Sequence, residues 1–314
     1  MKDNFLQIRL KKNIKKNQII TIKNINILKK NLNQYSLKVL RRFPIVSLSN
    51  ISKNQLLKKK DYKYLKIGIV ISCRLNSKRL PNKALLKTGG VESIQRCINQ
   101  VKFTGQKNIV IATAINENDL SLLKLAKKNN IKFYRGSDNN LILRNLQVAE
   151  KMNFDYFVRV TGDSPLVSYE LINTMIKSQL INNYDYIYND NLPLGTRVEV
   201  IKTSALKYLY KKTITDRYGE YLSLYFKNNC KFFKIKKLNL SYYPDYKNIR
   251  LNLDFKSDLD YINKLLNFFK NKKIISLDEV FIFLRFFHKE NIFIKSKYNQ
   301  KRLYKKIYND SLIF

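Results

Sequence analysis

Apolar runs of strand length alternate with amphipathic segments of helix length from residue 66 onward, and this alternation restricts the possible fold more than any other feature. Lys66-Ile-Gly-Ile-Val-Ile-Ser72 has the length and composition of a buried strand. Similar runs recur at 108–113, 131–134 and 156–161, separated by helical segments at 92–101, 118–129 and 140–152. The pattern predicts an α/β domain whose parallel sheet has helices on both faces and binds ligands at the carboxyl ends of its strands.

The charge of the chain is high and uneven. It carries 61 basic and 23 acidic side chains over 314 residues, a formal net charge of +38. Residues 1–64 hold 17 basic and only 2 acidic side chains, which indicates a boundary near residue 64. Lysine outnumbers arginine 47 to 14, although arginine is the better residue for reading bases and phosphates. We therefore interpret most of the charge as solvated surface and expect no nucleic-acid partner.

The cysteines and the hydropathy of the chain indicate the cellular compartment in which the protein is expected. Cys73, Cys97 and Cys230 are far apart and odd in number, which predicts neither a zinc site nor a disulfide framework. The N-terminus lacks the apolar core of a signal peptide, and no apolar run reaches the length of a membrane span. We expect a cytoplasmic protein.

The first 64 residues contain an internal echo. Asn13–Ile20 recurs as Asn50–Leu57 with five of eight positions identical. Each copy predicts a turn with Asn at positive φ, followed by apolar residues, although coincidence in a Lys/Asn/Ile-rich chain is the alternative. The segment resembles the SAF (antifreeze-like) domain of sialic-acid synthases at Ile14, Asn17, Ile20, Thr21 and Ile25, with Asn17 in place of the usual Gly.

Three segments carry candidate chemistry. The loop Arg74–Lys83 follows the first strand with several cations, which suits a triphosphate, but a solvated basic loop is the alternative. Asp163 follows the fourth strand between Gly162 and Ser164, which suits a magnesium ligand or a helix-capping turn. Alternation in 249–253 predicts a further strand, which Asp254 closes before a helix that we expect Ser257 to cap.

These segments, in this order, resemble the cytidylyltransferases that make CMP-activated keto-deoxy sugars. The similarity covers about residues 66–298 and is closest to the branch for spore-coat polysaccharide biosynthesis, related to acylneuraminate and deoxy-manno-octulosonate cytidylyltransferases. It implies a three-layer, Rossmann-like sheet of the nucleotide-diphospho-sugar transferase type. It also implies a Mg²⁺-dependent reaction that converts CTP and a sialic-acid-like keto-deoxy sugar acid to a CMP-sugar for surface polysaccharide.

The resemblance implies a role for each matching residue. The implied catalytic residues are Lys83, Arg79 and Asp163. The implied CTP-binding residues are Arg74, Ser77, Arg79, Lys83, Ser137 and Asp138. Asp163 and Asp254 match the Mg²⁺ ligands, whereas Glu199 and Arg250 match the sugar side.

Three positions depart from the pattern of these enzymes. Asn82 stands where Gly is usual. This change is mild, because Asn tolerates the left-handed backbone conformation. Arg197 replaces a usually acidic residue, and 219–222 (Gly-Glu-Tyr-Leu) stand in place of Arg-Glu-His-Val. The last two changes lie on the sugar side of the site, so they make the identity of the acceptor sugar less certain than that of the nucleotide.

We expect three parts and a homodimer. The parts are a basic SAF-like module (1–64), a cytidylyltransferase domain (65–300) and a basic C-terminal tail (301–314). Two other functions stay open from the residues alone. One is a nucleotide-sugar glycosyltransferase on the same fold, which would typically carry an Asp-x-Asp metal motif, and the other is a non-catalytic basic binding protein.

Overall fold

The computed structural model describes residues 7–28, 44–77, 79–115, 119–213 and 221–290, with Tyr308 and Ser311. The chain divides into two compact units. One comprises Met1–Lys66 with Lys177–Asn183, and the other comprises Ile67–Ile176 with Tyr184–Phe314. The predicted tail at 301–314 lies outside the described residues apart from Tyr308 and Ser311. Over the described ranges, no helix is both long and apolar enough to cross a membrane.

The N-terminal unit is built from five short strands: β1 (Gln7–Leu10), β2 (Ile19–Ile20), β3 (Ile25–Leu28), β4 (Ile45–Ser47) and β5 (Tyr62–Tyr64). β1 pairs with β3, and β4 pairs with β2 and β5, all antiparallel. Buried isoleucines and Leu10 form its core. Ile8 and Leu10 of β1 point inward on either side of the exposed Arg9, whereas β2 and β4 are buried along their whole length.

The sequence echo corresponds to a structural duplication with an offset of 37 residues. Ile14 and Ile51 exchange both backbone hydrogen bonds, each of 2.8 Å. Asn17 and Asn54 occupy equivalent turns with φ of 65° and 64°, so the predicted positive φ is confirmed at both. The strand registers also repeat, because β1 pairs with β3 as β4 pairs with β5. The echo is therefore not a coincidence of composition.

The larger unit contains a seven-stranded sheet. Its strands are β6 (Ile67–Ser72), β9 (Ile109–Ala114), β10 (Lys132–Gly136), β11 (Tyr156–Thr161), β12 (Tyr186–Tyr188), β13 (Glu199–Lys202) and β14 (Ile235–Lys237). Their order is β10-β9-β6-β11-β13-β12-β14. The first four are parallel, as predicted, whereas β13 is antiparallel to both of its neighbours. A small hairpin, β7 (Lys87–Thr88) and β8 (Val91–Glu92), lies outside this sheet.

Eight helices of the described residues accompany the strands: α1 (Ser93–Phe103), α2 (Leu120–Lys128), α3 (Leu141–Lys151), α4 (Tyr169–Asn182), α5 (Thr203–Lys212), α6 (Leu222–Asn228), α7 (Lys256–Phe268) and α8 (Leu277–Phe287). Apolar side chains of α3, α5 and α6 bury one face of the sheet around Val70 and Phe157. Ile69 and Ile71 alternate with Val70 and are equally buried on the other face. The sheet is thus the middle of three layers, as expected.

The predicted strand at 249–253 is wrong. Only Arg250 forms a bridge there, to Leu194, and the segment joins no ladder of the sheet. Its backbone donors are satisfied by loops instead: Leu251 N–H bonds to Leu194 O at 2.7 Å, and Leu253 N–H bonds to Asp163 O at 2.9 Å. The apolar alternation reflects burial of Leu251 and Leu253 against α7 and α8.

Candidate active site

The loop after β6 delivers Lys83 to the carboxyl edge of the sheet. Asn82 precedes it with φ 51° and ψ 26°, the left-handed conformation expected at this position. A short helical turn, Lys83–Leu85, then begins at Lys83. Asn readily adopts this conformation because its short polar side chain can hydrogen-bond locally. The turn directs the lysine toward the residues that follow β11.

Four of the predicted site residues form one cluster of charges. Lys83 Nζ lies 2.9 Å from Asp254 Oδ1 and also contacts Asp163 directly. Arg79 Nη2 lies 2.8 Å from the same Asp254 oxygen, and its side chain is 59% exposed against 15–18% for the other three. Burial alone would lower the pKa of Lys83, but attraction to Asp163 and Asp254 outweighs it and raises the pKa. The ammonium therefore stays charged.

Asp254 is held by its neighbours in the chain. Asp258 accepts hydrogen bonds from the backbone N–H groups of Asp254 (2.9 Å) and Phe255 (2.8 Å). Asp258, the third residue of α7, therefore caps its N-terminus by reaching back to the backbone of the N-cap residue Phe255. The expectation that Ser257 caps the helix is wrong, because Ser257 is the second helical residue and does not occupy the N-cap position. Asn252 Nδ2 donates to Asp254 Oδ2 at 3.0 Å. Asp258 and Asn252 are positioning residues that the sequence reasoning missed.

The carboxylates of Asp163 and Asp254 fit a divalent cation. Asp163 Oδ1 is buried and accepts no hydrogen bond from the residues described, so it retains full capacity as a ligand. No group of three His, Cys, Asp or Glu side chains that could hold a metal occurs in the described ranges. Two carboxylates suit Mg²⁺, which takes its remaining ligands from substrate phosphates and water.

The structure places the other members of the basic loop differently. Arg74 is exposed, and Ser77 donates its backbone N–H to Leu75 O at 3.0 Å. Within the part of the chain that the structure describes, neither side chain reaches a carboxylate. Both remain available to a ligand that enters the loop, and their predicted roles stay predictions.

Ser137 and Asp138 form the turn after β10. Arg144 of α3 donates to the backbone oxygens of Ser137 (2.7 Å) and Asp138 (2.6 Å). Arg135, at the end of β10, makes two hydrogen bonds to the buried Asp119, of 2.9 and 2.5 Å. A bidentate pair of this kind fixes the guanidinium. Arg135 thus ties β10 to the start of α2.

Glu199 and Arg250 lie in separate ion pairs. Glu199 accepts from Arg159 Nη1 at 2.5 Å and from the hydroxyl of Tyr186. Arg250 Nε donates to Asp258 at 2.7 Å, and its guanidinium lies 4.9 Å from the centre of the Phe255 ring. The sequence reasoning missed Arg159 and Tyr186; Arg159 does belong to the Arg-Val-Thr-Gly-Asp phrase that precedes Asp163.

Arg197, which replaces a usually acidic residue, makes hydrogen bonds to two backbone carbonyls. Its Nε donates to Leu192 O at 2.6 Å and its Nη2 to Lys247 O at 2.9 Å, so it holds two loops together. Burial lowers the pKa of Arg197 to about 10. Gly195, with φ 92°, allows close approach, since a Cβ there would lie 2.4 Å from the backbone of Leu251. Positions 219 and 220 of the second departure lie outside the described residues.

Comparisons with known proteins agree with this geometry. Residues 68–292 match the family described as cytidylyltransferase. The spore coat polysaccharide biosynthesis protein SpsF of Bacillus subtilis is 28% identical over 224 residues, 69% of this chain and 93% of that protein. The 3-deoxy-manno-octulosonate cytidylyltransferase of Rickettsia bellii is 28% identical over 157 residues, 47% of this chain and 64% of that protein.

A solved structure is also similar. A cytidylyltransferase from Leptospira borgpetersenii superposes with a TM-score of 0.67 and 27% identity, covering 75% of this chain and 100% of that one. The family match begins at residue 68, so it does not reach the N-terminal unit, and the SAF resemblance stays a prediction. The match favours nucleotidyl transfer over the glycosyltransferase and non-catalytic alternatives. This chain belongs to the cytidylyltransferase family of nucleotidyltransferases.

Proposed function

We propose that the protein transfers CMP from CTP to a keto-deoxy sugar acid for surface polysaccharide synthesis. The observation that carries the proposal is the cluster of Arg79 and Lys83 with Asp163 and Asp254 at the carboxyl edge of the sheet. Support for the acid comes from similarity to the octulosonate enzyme, and support for the polysaccharide comes from similarity to SpsF.

The proposed reaction is an in-line displacement. The anomeric hydroxyl of the sugar forms a bond to the α-phosphorus of CTP, the bond from that phosphorus to the bridging oxygen breaks, and pyrophosphate leaves while the hydroxyl proton passes to water. Lys83 and Arg79 bind the phosphates and offset the charge that grows on the leaving group. We propose that Asp163 and Asp254 hold Mg²⁺, which when bound neutralises phosphate charge and acidifies the attacking hydroxyl.

Pyrophosphate release tests the proposal. The assay supplies Mg²⁺ and each of the four NTPs with a panel that includes 3-deoxy-manno-octulosonate and N-acetylneuraminate. We expect release only with CTP plus a sugar acid, and a loss of about a hundredfold in kcat for Asp163→Asn. Asp260→Asn is the matched control, because that carboxylate is 63% exposed on α7. Release that needs no sugar acid, or full activity in Asp163→Asn, would contradict the proposal.

We also propose that the chain works as three parts with the boundaries predicted from the sequence. Residues 1–64 would form a basic module, 65–300 the catalytic domain and 301–314 a basic tail. The division of the structure at Lys66 and the start of the family match at residue 68 support the first boundary. The homodimer remains a prediction that sedimentation equilibrium of the full chain would test.

A further inference from the structure

A second polar cluster lies at the same edge of the sheet as the acidic pair. Arg159 is near the carboxyl end of β11, and Glu199 begins the antiparallel β13 directly opposite it. Tyr188 ends β12 and pairs with Glu199 on the other side. Because β13 runs antiparallel between β11 and β12, all three residues share the edge at which Asp163 follows β11. The cluster is therefore next to the proposed catalytic groups in the sheet.

The guanidinium of Arg159 uses only part of its hydrogen-bonding capacity. Its Nη1 donates to Glu199 at 2.5 Å, but its Nε is buried and has no hydrogen-bond partner in the described residues. The hydroxyl of Tyr186 donates to the other oxygen of Glu199. Leaving a buried charged donor without a partner is costly, so such donors usually meet a ligand or water. The buried Nε–H of the guanidinium is thus a donor that can be offered to an anion.

Lys227 brings a second cation to the cluster. Its Nζ lies 4.0 Å from the centre of the Tyr188 ring. Tyr188 stacks on Tyr186 at 5.6 Å, and Tyr186 stacks on Phe226, the neighbour of Lys227, at 4.7 Å. This stack of rings holds α6 against β12 and sets where the lysine points.

The ammonium of Lys227 has no carboxylate within salt-bridge distance among the described residues. Lys227 is half-buried, and burial lowers its pKa against the weaker attraction of Glu199 and Asp190. A cation held in this way, on an aromatic face and with no carboxylate of the described residues in contact, is a favourable place for a negatively charged ligand group. Its charge and that of Arg159 together exceed the single charge of Glu199.

We propose that Lys227 and the free Nε of Arg159 bind the carboxylate of the acceptor sugar, while Glu199 and Tyr186 position Arg159. This inference rests on the proposed function, because it names the groups that would recognise an acid. It makes Lys227 a specificity-determining residue: the site would prefer a sugar acid to an uncharged sugar of the same shape. Lys227 has no predicted role from the sequence.

The test compares each sugar acid with its methyl ester, which removes the charge and keeps the ring. The variants are Lys227→Met, Lys227→Arg and the control Lys231→Met, a change to an exposed lysine four residues away. Calorimetry measures binding of N-acetylneuraminate and of 3-deoxy-manno-octulosonate, each with its ester, in the presence of a non-hydrolysable CTP analogue. The pyrophosphate assay gives KM for the acid and for CTP.

We expect the wild-type protein and Lys231→Met to prefer the acid, and Lys227→Met to lose about ten- to a hundredfold in acid affinity. Ester binding and the KM for CTP should not change, and Lys227→Arg should retain part of the preference. Equal acid affinity in Lys227→Met and the wild type would overturn the inference, as would absence of any preference for acid over ester. Binding with preference but without pyrophosphate release would support this inference and overturn the proposed function.

Discussion

Lys83 and Asp254 form an ion pair of 2.9 Å, although Lys83 follows the first strand of the large sheet and Asp254 precedes α7. The same ammonium also contacts Asp163. One lysine thus neutralises the two carboxylates that we propose as metal ligands. We expect it to compete with a divalent cation until the phosphates of CTP attract it away.

Replacing Lys83 should therefore separate metal binding from catalysis. In Lys83→Met, Mn²⁺ should bind more tightly in the absence of nucleotide, because the carboxylates lose their internal cation. The kcat should fall by about a hundredfold, because a group that offsets phosphate charge is gone. Electron paramagnetic resonance titration measures free Mn²⁺, with the exposed Lys87→Met as control. Unchanged or weaker Mn²⁺ binding would refute the competition.

Asn82 should tolerate glycine but not a β-branched residue. At φ 51°, Asn82→Gly keeps the turn that presents Lys83, whereas Asn82→Val costs about 1–2 kcal/mol of backbone strain. We expect unchanged KM for CTP in the glycine variant and a lower Tm with a higher KM in the valine variant. Thermal unfolding and initial rates check this. Equal behaviour of the two variants would show that the left-handed turn has no role in presenting the lysine.

Arg197 should contribute to stability more than to catalysis. Arg197→Met removes two hydrogen bonds to the carbonyls of Leu192 and Lys247, and the unfolding free energy should fall by about 2 kcal/mol. The control Lys247→Met removes an exposed ion pair to Asp245 and should change stability little. Chemical denaturation measures both. A stable Arg197→Met with a raised KM for the sugar would indicate instead that Arg197 contacts the acceptor.

The recognition of the acid should weaken at alkaline pH. Burial lowers the pKa of Lys227 below its ordinary value of 10.5; Glu199 and Asp190 oppose the shift, and Arg197 and Lys237 add to it. The binding-competent ammonium is therefore lost as the pH rises through this lowered pKa. We expect kcat/KM for the acid to fall there in the wild type, because this parameter reports the free enzyme. In Lys227→Arg the decline should disappear, since guanidinium does not titrate in that range.

Asn17 and Asn54 should be equivalent in the N-terminal unit. Each occupies the left-handed position of its turn, so Asn17→Val and Asn54→Val should each cost about 1–2 kcal/mol. Asn→Gly at either position should be neutral. Unfolding of the full chain followed by hydrogen exchange over residues 7–28 and 44–66 compares them. A large difference between the two valine variants would mean that the duplicated turns contribute unequally to the free energy of unfolding.

The parts of the fold that depend on the local pattern of apolar and polar residues could be predicted from the sequence. The strands β6, β9, β10 and β11 lie within two residues of the predicted runs. For β6, β9 and β11 the reason is that a buried parallel strand is a largely continuous apolar segment, whereas β10 is an edge strand with exposed Lys132 and Arg135. The segment before Asp254 could not be distinguished from a strand, since its alternation arises from burial against helices. Strand order across β12, β13 and β14 depends on long-range pairing that no local pattern records.

In the candidate site, too, residues marked by a local sequence pattern could be predicted, and residues placed by long-range contacts could not. Lys83 and Asp163 could be predicted because each follows a strand whose carboxyl end lies at the ligand edge, whereas Asp254 could be identified only through the family resemblance, since the strand expected before it does not form. The role of Asp258 could not be predicted, because an acidic residue in a first helical turn is common, whereas its hydrogen bond to the backbone N–H of Asp254 is seen only in the folded structure. Lys227 could not be found at all, because the rings that fix its position are those of Tyr186 and Tyr188 on β12, about 40 residues earlier in the chain.

The 37-residue duplication has a consequence for the history of the N-terminal unit. The two halves are interleaved, because β2 of the first half pairs with β4 of the second, and Leu56 of the second bridges to Arg9 of the first. Neither half can satisfy its own backbone without the other. Such an arrangement is expected of an ancestral homodimer whose two copies became joined head to tail. A peptide that contains one half alone should therefore find its missing strand in a second copy of itself.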